Sequence, residues 1–267
     1  MKLRSLLFCC CLALAGVACE EIVDDPGALP YHEKLVIRGV LENNKQLDTI
    51  KITRTLPPLD EYSEERAVVQ NALVLVRHDG IVDTLIDHGN SQYFTPGIIV
   101  RSGSVYELTV EWKGKRATAV TTIPQPPVIQ SARRVNGTSS SGYSSAYLAD
   151  TVLPRSAEVY AATSLFRYPP PNQNLSVTTN FFYEVKRPAN NETALAVRAF
   201  SYWEEVTGTE YIIVHSYDAP FYEYYTSLDQ DSEDLFGASG RQVKWNIQGD
   251  GIGMFIGTAS SEEFRVP

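Results

Sequence analysis

Tyr106-Glu107-Leu108-Thr109-Val110-Glu111-Trp112-Lys113-Gly114-Lys115-Arg116 decides the fold class. Tyr106, Leu108, Val110 and Trp112 alternate with polar residues, so a strand would place all four on one face. Lys113-Gly114-Lys115 then turns the chain into a second alternating run at residues 116–123. Upstream, residues 72–77 and 81–86 flank His78-Asp79-Gly80, and Asp-Gly is a strong hairpin signal. Residues 34–41 are apolar and β-branched, and residues 49–55 put Ile50 and Ile52 on one face. Short alternating runs about 8–12 residues apart predict a sandwich.

Pro124-Gln125-Pro126-Pro127 interrupts this pattern, because proline lacks a ladder donor and fixes φ. The expected fold is all-β, with an N-terminal immunoglobulin/transthyretin-like β-sandwich at residues 33–124. A linker at 125–127 leads to a second β-rich domain at 128–267 with a short helix. In that second stretch, residues 128–135, 175–186, 194–203, 211–216, 242–247 and 253–257 read as strands. Residues 136–142 form a Gly/Ser/Thr loop, and Tyr168-Pro169-Pro170-Pro171-Asn172 is a second break. Asp218-Ala219-Pro220 predicts a helix over 221–228, with Asp218 as its cap and proline in its first turn. No repeat at solenoid spacing is found.

The N-terminus reads as a targeting signal. Lys2 and Arg4 precede an apolar run at residues 6–17, too short to span a membrane. Small residues lead to Cys19, with Gly16 where a lipoprotein box ordinarily has leucine. Residues 1–18 read as a lipoprotein signal peptide and Cys19 as the lipidated (palmitate-bearing) first residue of the mature chain. The alternatives are a plain secretory signal cleaved near Ala18, or lipidation at Cys11. Stable anchoring needs more than one acyl chain, which a triacylated cysteine supplies.

The other cysteines, Cys9, Cys10 and Cys11, leave with the signal. A mature chain whose one thiol is lipidated can form no internal disulfide, Cys–zinc site or catalytic thiolate. Loss of Lys2 and Arg4 makes the chain more acidic than the −9 of the full sequence. That charge argues against nucleic acid as a partner. Residues 19–32 read as an acidic tether carrying Glu20, Glu21, Asp24 and Asp25, solvated as such runs commonly are.

Candidate chemistry is sparse. His32, His78, His88 and His215 match no zinc-ligand spacing and read as surface or loop histidines. Asp229-Gln230-Asp231-Ser232-Glu233-Asp234 fails as an EF-hand, since Asp234 and Gly240 stand where glycine and glutamate are required. Gly249-Asp250-Gly251-Ile252-Gly253 lacks phosphate-loop spacing and reads as a turn needing positive φ. Glu204-Glu205 are adjacent, and neighbouring strand residues face opposite ways, which is the wrong geometry for a glycosidase pair. Neither catalytic residue nor metal or cofactor site is expected. The 15 tyrosines are densest at Phe221-Tyr222-Glu223-Tyr224-Tyr225. Tyr222, Tyr224, Tyr225, Tyr202 and Trp203 are candidates for a ligand or interface surface, against the alternative of sandwich packing. Residues 221 and 225, at helical spacing, are expected to share a buried face.

Several segments together carry a family resemblance. They are Glu33-Lys34-Leu35-Val36-Ile37-Arg38-Gly39-Val40-Leu41, Thr53-Arg54-Thr55-Leu56-Pro57, Val69-Gln70-Asn71-Ala72 and Tyr106-Glu107-Leu108-Thr109-Val110. Ala117-Thr118-Ala119, Thr122-Ile123-Pro124 and Trp245-Asn246-Ile247-Gln248-Gly249-Asp250-Gly251-Ile252-Gly253-Met254-Phe255 follow. In this order, behind a lipoprotein signal, they resemble a Bacteroidetes outer-membrane lipoprotein family known as a domain of unknown function (number four-two-four-nine). The resemblance spans nearly the whole chain. It implies an outer-membrane, cell-surface lipoprotein of a kind often encoded beside a TonB-dependent receptor, and it transfers no catalytic residue. Glu20, Glu21, Asp24 and Asp25 then resemble the export signal of Bacteroidetes surface lipoproteins. Asp48-Thr49-Ile50, Asp83-Thr84-Leu85 and Asp150-Thr151-Val152 resemble the O-glycosylation triplet of that phylum, making Thr49, Thr84 and Thr151 candidate modification sites.

The expected function is a non-catalytic surface lipoprotein that serves a TonB-dependent receptor as an accessory or binding component. The alternatives are a glycan-binding or glycan-degrading surface protein, and an adhesin or structural component of the surface layer.

Overall fold

The computed structural model describes residues 31–136, 145–153, 159–168, 176–179, 182–189, 192–200, 208–228 and 242–267. The first half contains β1 (Leu35–Glu42), β2 (Ile50–Arg54), α1 (Glu64–Ala67), β3 (Leu73–His78), β4 (Ile81–Asp87), β5 (Gln92–Phe94), β6 (Val105–Trp112) and β7 (Lys115–Thr122). Then come β8 (Val128–Asn136), β9 (Ser145–Val152), β10 (Val159–Arg167), β11 (Ser176–Thr178), β12 (Val185–Lys186), β13 (Ala194–Phe200) and β14 (Thr209–Tyr217). The chain ends with α2 (Pro220–Ser227), β15 (Gln248–Gly249), β16 (Gly251–Ser260) and β17 (Phe264–Arg265). The fold is all-β, as expected.

Both predicted hairpins form. Asp79 and Gly80 have φ of 47° and 79°, and Lys113 and Gly114 have 46° and 78°. Two successive positive φ values give the type I′ geometry that matches strand twist. The Asp-Gly turn joins β3 to β4 with His78 opposite Ile81, and the Lys-Gly turn joins β6 to β7 with Trp112 opposite Lys115.

One hydrogen-bonded path runs β11-β10-β14-β16-β1-β2-β5-β4-β3-β6-β7-β15, with β12 also on β10 and β17 on β14. The smaller sheet is β13-β9-β8. The long path folds over itself. Leu35, Ile37, Ile52 and Phe255 from one side meet Val74, Leu108, Val110 and Ala117 from the other in one buried core. A second core joins Tyr147, Ala149, Val197 and Ala199 of the small sheet to Tyr160, Ala162, Ile212 and Val214 of β10 and β14.

The prolines at residues 124–127 interrupt the strands, but the sheet continues across that point. β16 lies parallel to β1 from Leu35↔Gly251 to Glu42↔Thr258, and its far end pairs with β14. Ile247 and Phe255, from the last 25 residues, sit in the N-terminal core. Gly253 permits this approach: its φ is 116°, and an added Cβ would lie 2.0 Å from the Ile37 carbonyl oxygen.

Three local expectations are corrected. The described residues of 175–186 form two short strands, β11 and β12, rather than one. Between them the Thr179 hydroxyl accepts the Ser164 N–H at 3.0 Å, taking the place of a backbone acceptor, and the ladder ends there. Residues 242–247 form no strand. The Asn246 side chain instead bonds both backbone groups of Phe255, at 2.6 and 2.9 Å, so this segment meets β16 through a side chain. Asp218 is not a helix cap. Ala219 holds the cap position, and the buried Asp218 carboxylate accepts a hydrogen bond from Thr121 of β7. Proline does begin the helix, where its missing N–H costs nothing.

Candidate functional site

The site is organised by α2. Its inner face carries Phe221 and Tyr225, one helical turn apart, as their spacing predicts. Phe221 is buried and Tyr225 half-buried. Phe221 stacks on Tyr217 with ring centroids 4.0 Å apart, and Phe182, delivered by the segment between β11 and β12, meets Tyr217, Phe221 and Tyr225 at about 6 Å. Val159, Met254 and Ile256 of the sheet complete this third core. Burial pushes the Tyr217 and Tyr225 hydroxyl pKa values up, so both phenols stay neutral.

The outer face of α2 is polar and braced. Glu223 lies in the first turn, where a carboxylate favours the helix dipole. One of its oxygens accepts from Lys244 at 2.7 Å and the other from Arg187 at 3.5 Å. The hydrogen bond and charge of Lys244, helped by Arg187, hold the Glu223 carboxyl below the usual carboxylate range. Lys244 also donates its backbone N–H to Ser227 at 3.0 Å, which staples the segment after residue 241 to the end of the helix.

This stapling creates a groove of about 860 Å³ between α2, the edge of β7 and residues 242–249. Lys34, Val120, Glu223, Gln242, Trp245 and Gln248 contribute to its walls. Trp245 remains 38% exposed, with Tyr224 packed against its ring at 5.6 Å. The volume falls in the range of small-molecule sites, roughly 300–1,000 Å³.

The predicted tyrosines of α2 all pack, partly buried, against the third core. Tyr224 also lies beside Trp245, and Tyr222 lies under the Arg187 guanidinium at 4.5 Å. Trp245, the exposed ring, was not singled out by sequence reasoning. Its one signal was its place in the Trp-Asn-Ile-Gln-Gly motif, which marks a family rather than a surface. Tyr202 and Trp203 lie outside the described residues, as do Cys19, Glu20, Glu21, Asp24 and Asp25, the adjacent Glu204 and Glu205, and the acidic run at 229–234.

The three threonines also part company. Thr84 is exposed on β4 and Thr49 half-buried beside Asp48, while Thr151 is fully buried within the small sheet. A hydroxyl with no exposure cannot carry a sugar unless that sheet opens.

Two histidines depart from the surface reading. His78 is largely buried, stacked on Tyr106 at 5.1 Å and bonded to Asp83 at 2.9 Å. His215 lies within β14, its Nε2 bonded to Thr163 Oγ1 at 2.8 Å and its Nδ1 to Ser260 Oγ at 2.9 Å. Burial pushes its pKa down to about 4. Among the described residues, no group of three or more His, Cys, Asp or Glu side chains could hold a metal ion. Nor is any helix there long and apolar enough to cross a membrane.

A family profile described as "Domain of unknown function (DUF4249)" matches residues 20–263. The chain belongs to this family. The description carries no activity. No curated protein matches the chain. Among solved structures it is similar to a DUF4785 family protein from Legionella pneumophila subsp. pneumophila str. Philadelphia 1, at 12% identity and a TM-score of 0.24. That likeness covers 69% of this chain and 52% of the other, so the chain spans about half the length of that protein. A score so low transfers neither fold nor function. The DUF4249 assignment rests on the sequence match.

Proposed function

We propose that this DUF4249 protein is a non-catalytic binding component, held on the outer face of the outer membrane by lipidated Cys19 and working beside a TonB-dependent receptor. The observation that carries a binding role is the double engagement of Glu223. Lys244 and Arg187 each take one of its oxygens at the mouth of an open groove. A general acid must hold a proton near neutral pH, and two cations on one carboxylate oppose that. What this arrangement offers a ligand is a braced surface with an exposed indole.

The anchor supports the location. Cys19 follows an apolar run of signal length, and the acids at 20, 21, 24 and 25 match the surface-export pattern that the family resemblance implies. Bacteroidetes origin and a neighbouring receptor belong to the same proposal.

Co-purification from native membranes tests it. A stable complex with an outer-membrane β-barrel is expected, and recovery of the lipoprotein free of any barrel would overturn the receptor role.

A further inference from the structure

We infer that the loop at residues 55–68 is a docking knob, tipped by Leu59 and Tyr62, for an apolar pocket rimmed by Lys or Arg on a protein at the membrane surface. This rests on the reading of the protein as a lipid-anchored component beside a receptor, and names the surface that would meet it.

Exposure comes first. Leu59 is 75% exposed and Tyr62 66%, the highest values among the large apolar side chains of the described residues. Side chains left this open to water contribute little burial to the free protein. A partner that covers them gains that contact area, and tyrosine is enriched where proteins meet.

The loop is also held in place. Its ends meet where Thr53 bridges Val68. Arg66 donates to the Asp60 carboxylate and the Glu61 carbonyl, and Arg54 donates to the Arg66 carbonyl at 2.7 Å. Lys51 pairs with Glu64 at 2.9 Å. Pro57-Pro58 stiffens the approach to the tip. Leu59 itself stands at φ 73°, whereas the other non-glycine residues at positive φ among those described are all polar. A branched apolar residue adopts this backbone only against steric resistance. Here that strain presents one large side chain to solvent, and a pre-organised loop has less entropy to lose on docking.

Position says where the partner lies. Tyr31 donates its hydroxyl hydrogen to the Thr55 carbonyl at 2.5 Å, and the Lys34 N–H donates to the Thr55 hydroxyl at 3.0 Å. The chain therefore enters the fold at the base of this loop. The segment from Cys19 to Tyr31 spans at most about 40 Å. A lipid on Cys19 keeps the loop base within that distance of the bilayer. The resulting effective concentration lets a small contact suffice.

Charge separates protein from lipid. Arg66 and Lys51 offset Asp60 and Glu64, which leaves the exposed Glu61 and Glu65. Lys34 offsets one of these at most, and Glu20, Glu21, Asp24 and Asp25 add acids along the tether. An acidic end is repelled by an anionic lipid surface and drawn to cations on a protein rim.

The test uses the full lipidated chain in native membranes, with photoreactive p-benzoylphenylalanine in place of Tyr62. Light should join it to an outer-membrane β-barrel, recognised by its heat-dependent gel mobility. The joined peptide should carry Lys or Arg beside apolar residues. Leu59→Gly should cut that product, and barrel co-purification with it, about tenfold. Glycine relieves the positive φ, so this variant should keep the parent's thermal midpoint, which separates lost docking from misfolding. Glu61→Lys combined with Glu65→Lys should weaken co-purification by a similar factor. Ile81→Thr, at the other end of β3, should change neither readout. Attachment to lipid, no product at all, a product that Leu59→Gly leaves unchanged, or a joined peptide without cations would each overturn the inference. A barrel that co-purifies equally well with every variant would sink the docking surface alone. A product that depends on Leu59, Glu61 and Glu65 but joins a protein other than a barrel would sink the receptor role alone.

Discussion

Thr121 of β7 donates its hydroxyl hydrogen to the buried carboxylate of Asp218, 97 residues further along the chain. The same Thr121 oxygen accepts the Gly257 N–H at 2.7 Å. One side chain thus ties the N-terminal sandwich, the central β16 and the turn that leads into α2 into a single buried knot.

Thr121→Val keeps the shape of that side chain and removes both hydrogen bonds. Leaving a buried carboxylate oxygen and a buried N–H without this partner should cost about 2–4 kcal/mol. Thr121→Ser should recover most of it. Chemical denaturation with a shared m-value is the measurement, and equal stability of the valine variant would show that the knot contributes nothing.

The His215 environment makes stability depend on pH in a definite direction. Its folded pKa of about 4 lies below the ordinary histidine value of 6.5, so the folded state resists protonation. This contribution is complete above pH 6.5 and is lost progressively as pH falls from there towards 4, by up to about 3 kcal/mol. The groups whose charges reach it are Glu42, which raises the pKa, and Lys45, which lowers it. His215→Gln should flatten the stability profile between pH 6.5 and 4. A profile unchanged by that substitution would remove His215 as the cause.

Gly253 stands where no side chain fits, at positive φ and against the Ile37 carbonyl. Gly253→Ala should cost about 2–4 kcal/mol by straining the β1–β16 pairing. The thermal midpoint reports it, and a fall of less than about 2 °C would contradict the close approach.

The pairing of β16 with β1 also governs truncation. A fragment of residues 31–127 would lack Ile247 and Phe255 from its core and the strand that pairs with β1. It should give the poorly dispersed amide spectrum of an unfolded or molten chain. Appending residues 242–267 through a flexible linker should restore dispersion. A well-dispersed spectrum from the short fragment would show that the sandwich closes without β16.

Much of this protein was legible in its residues. The alternation at Tyr106, Leu108, Val110 and Trp112 marks β6 with its inner face, and all four are buried. Asp79-Gly80 and Lys113-Gly114 mark turns because few residues adopt two successive positive φ values. Pro220 marks a helix start, and the ordered motifs mark the DUF4249 family. These features are local, since each depends on the φ preferences or the side-chain period of a few neighbouring residues.

The long-range pairings were not legible. A period of two says which residues share a face, but not which distant strand lies beside them. So the insertion of β16 between β1 and β14 appears only in three dimensions. The candidate site follows the same rule. Tyrosine density drew attention to residues 222–225, yet the tertiary structure spends those rings on the core, on Arg187 and on support. It exposes Trp245 instead, because Asn246 is fastened to Phe255 and Lys244 to Ser227. The sequence by itself determined the strand class, the turns and the family. Only the folded chain decided which strand closes the sandwich and which aromatic ring faces the groove, because both depend on contacts between residues far apart in sequence.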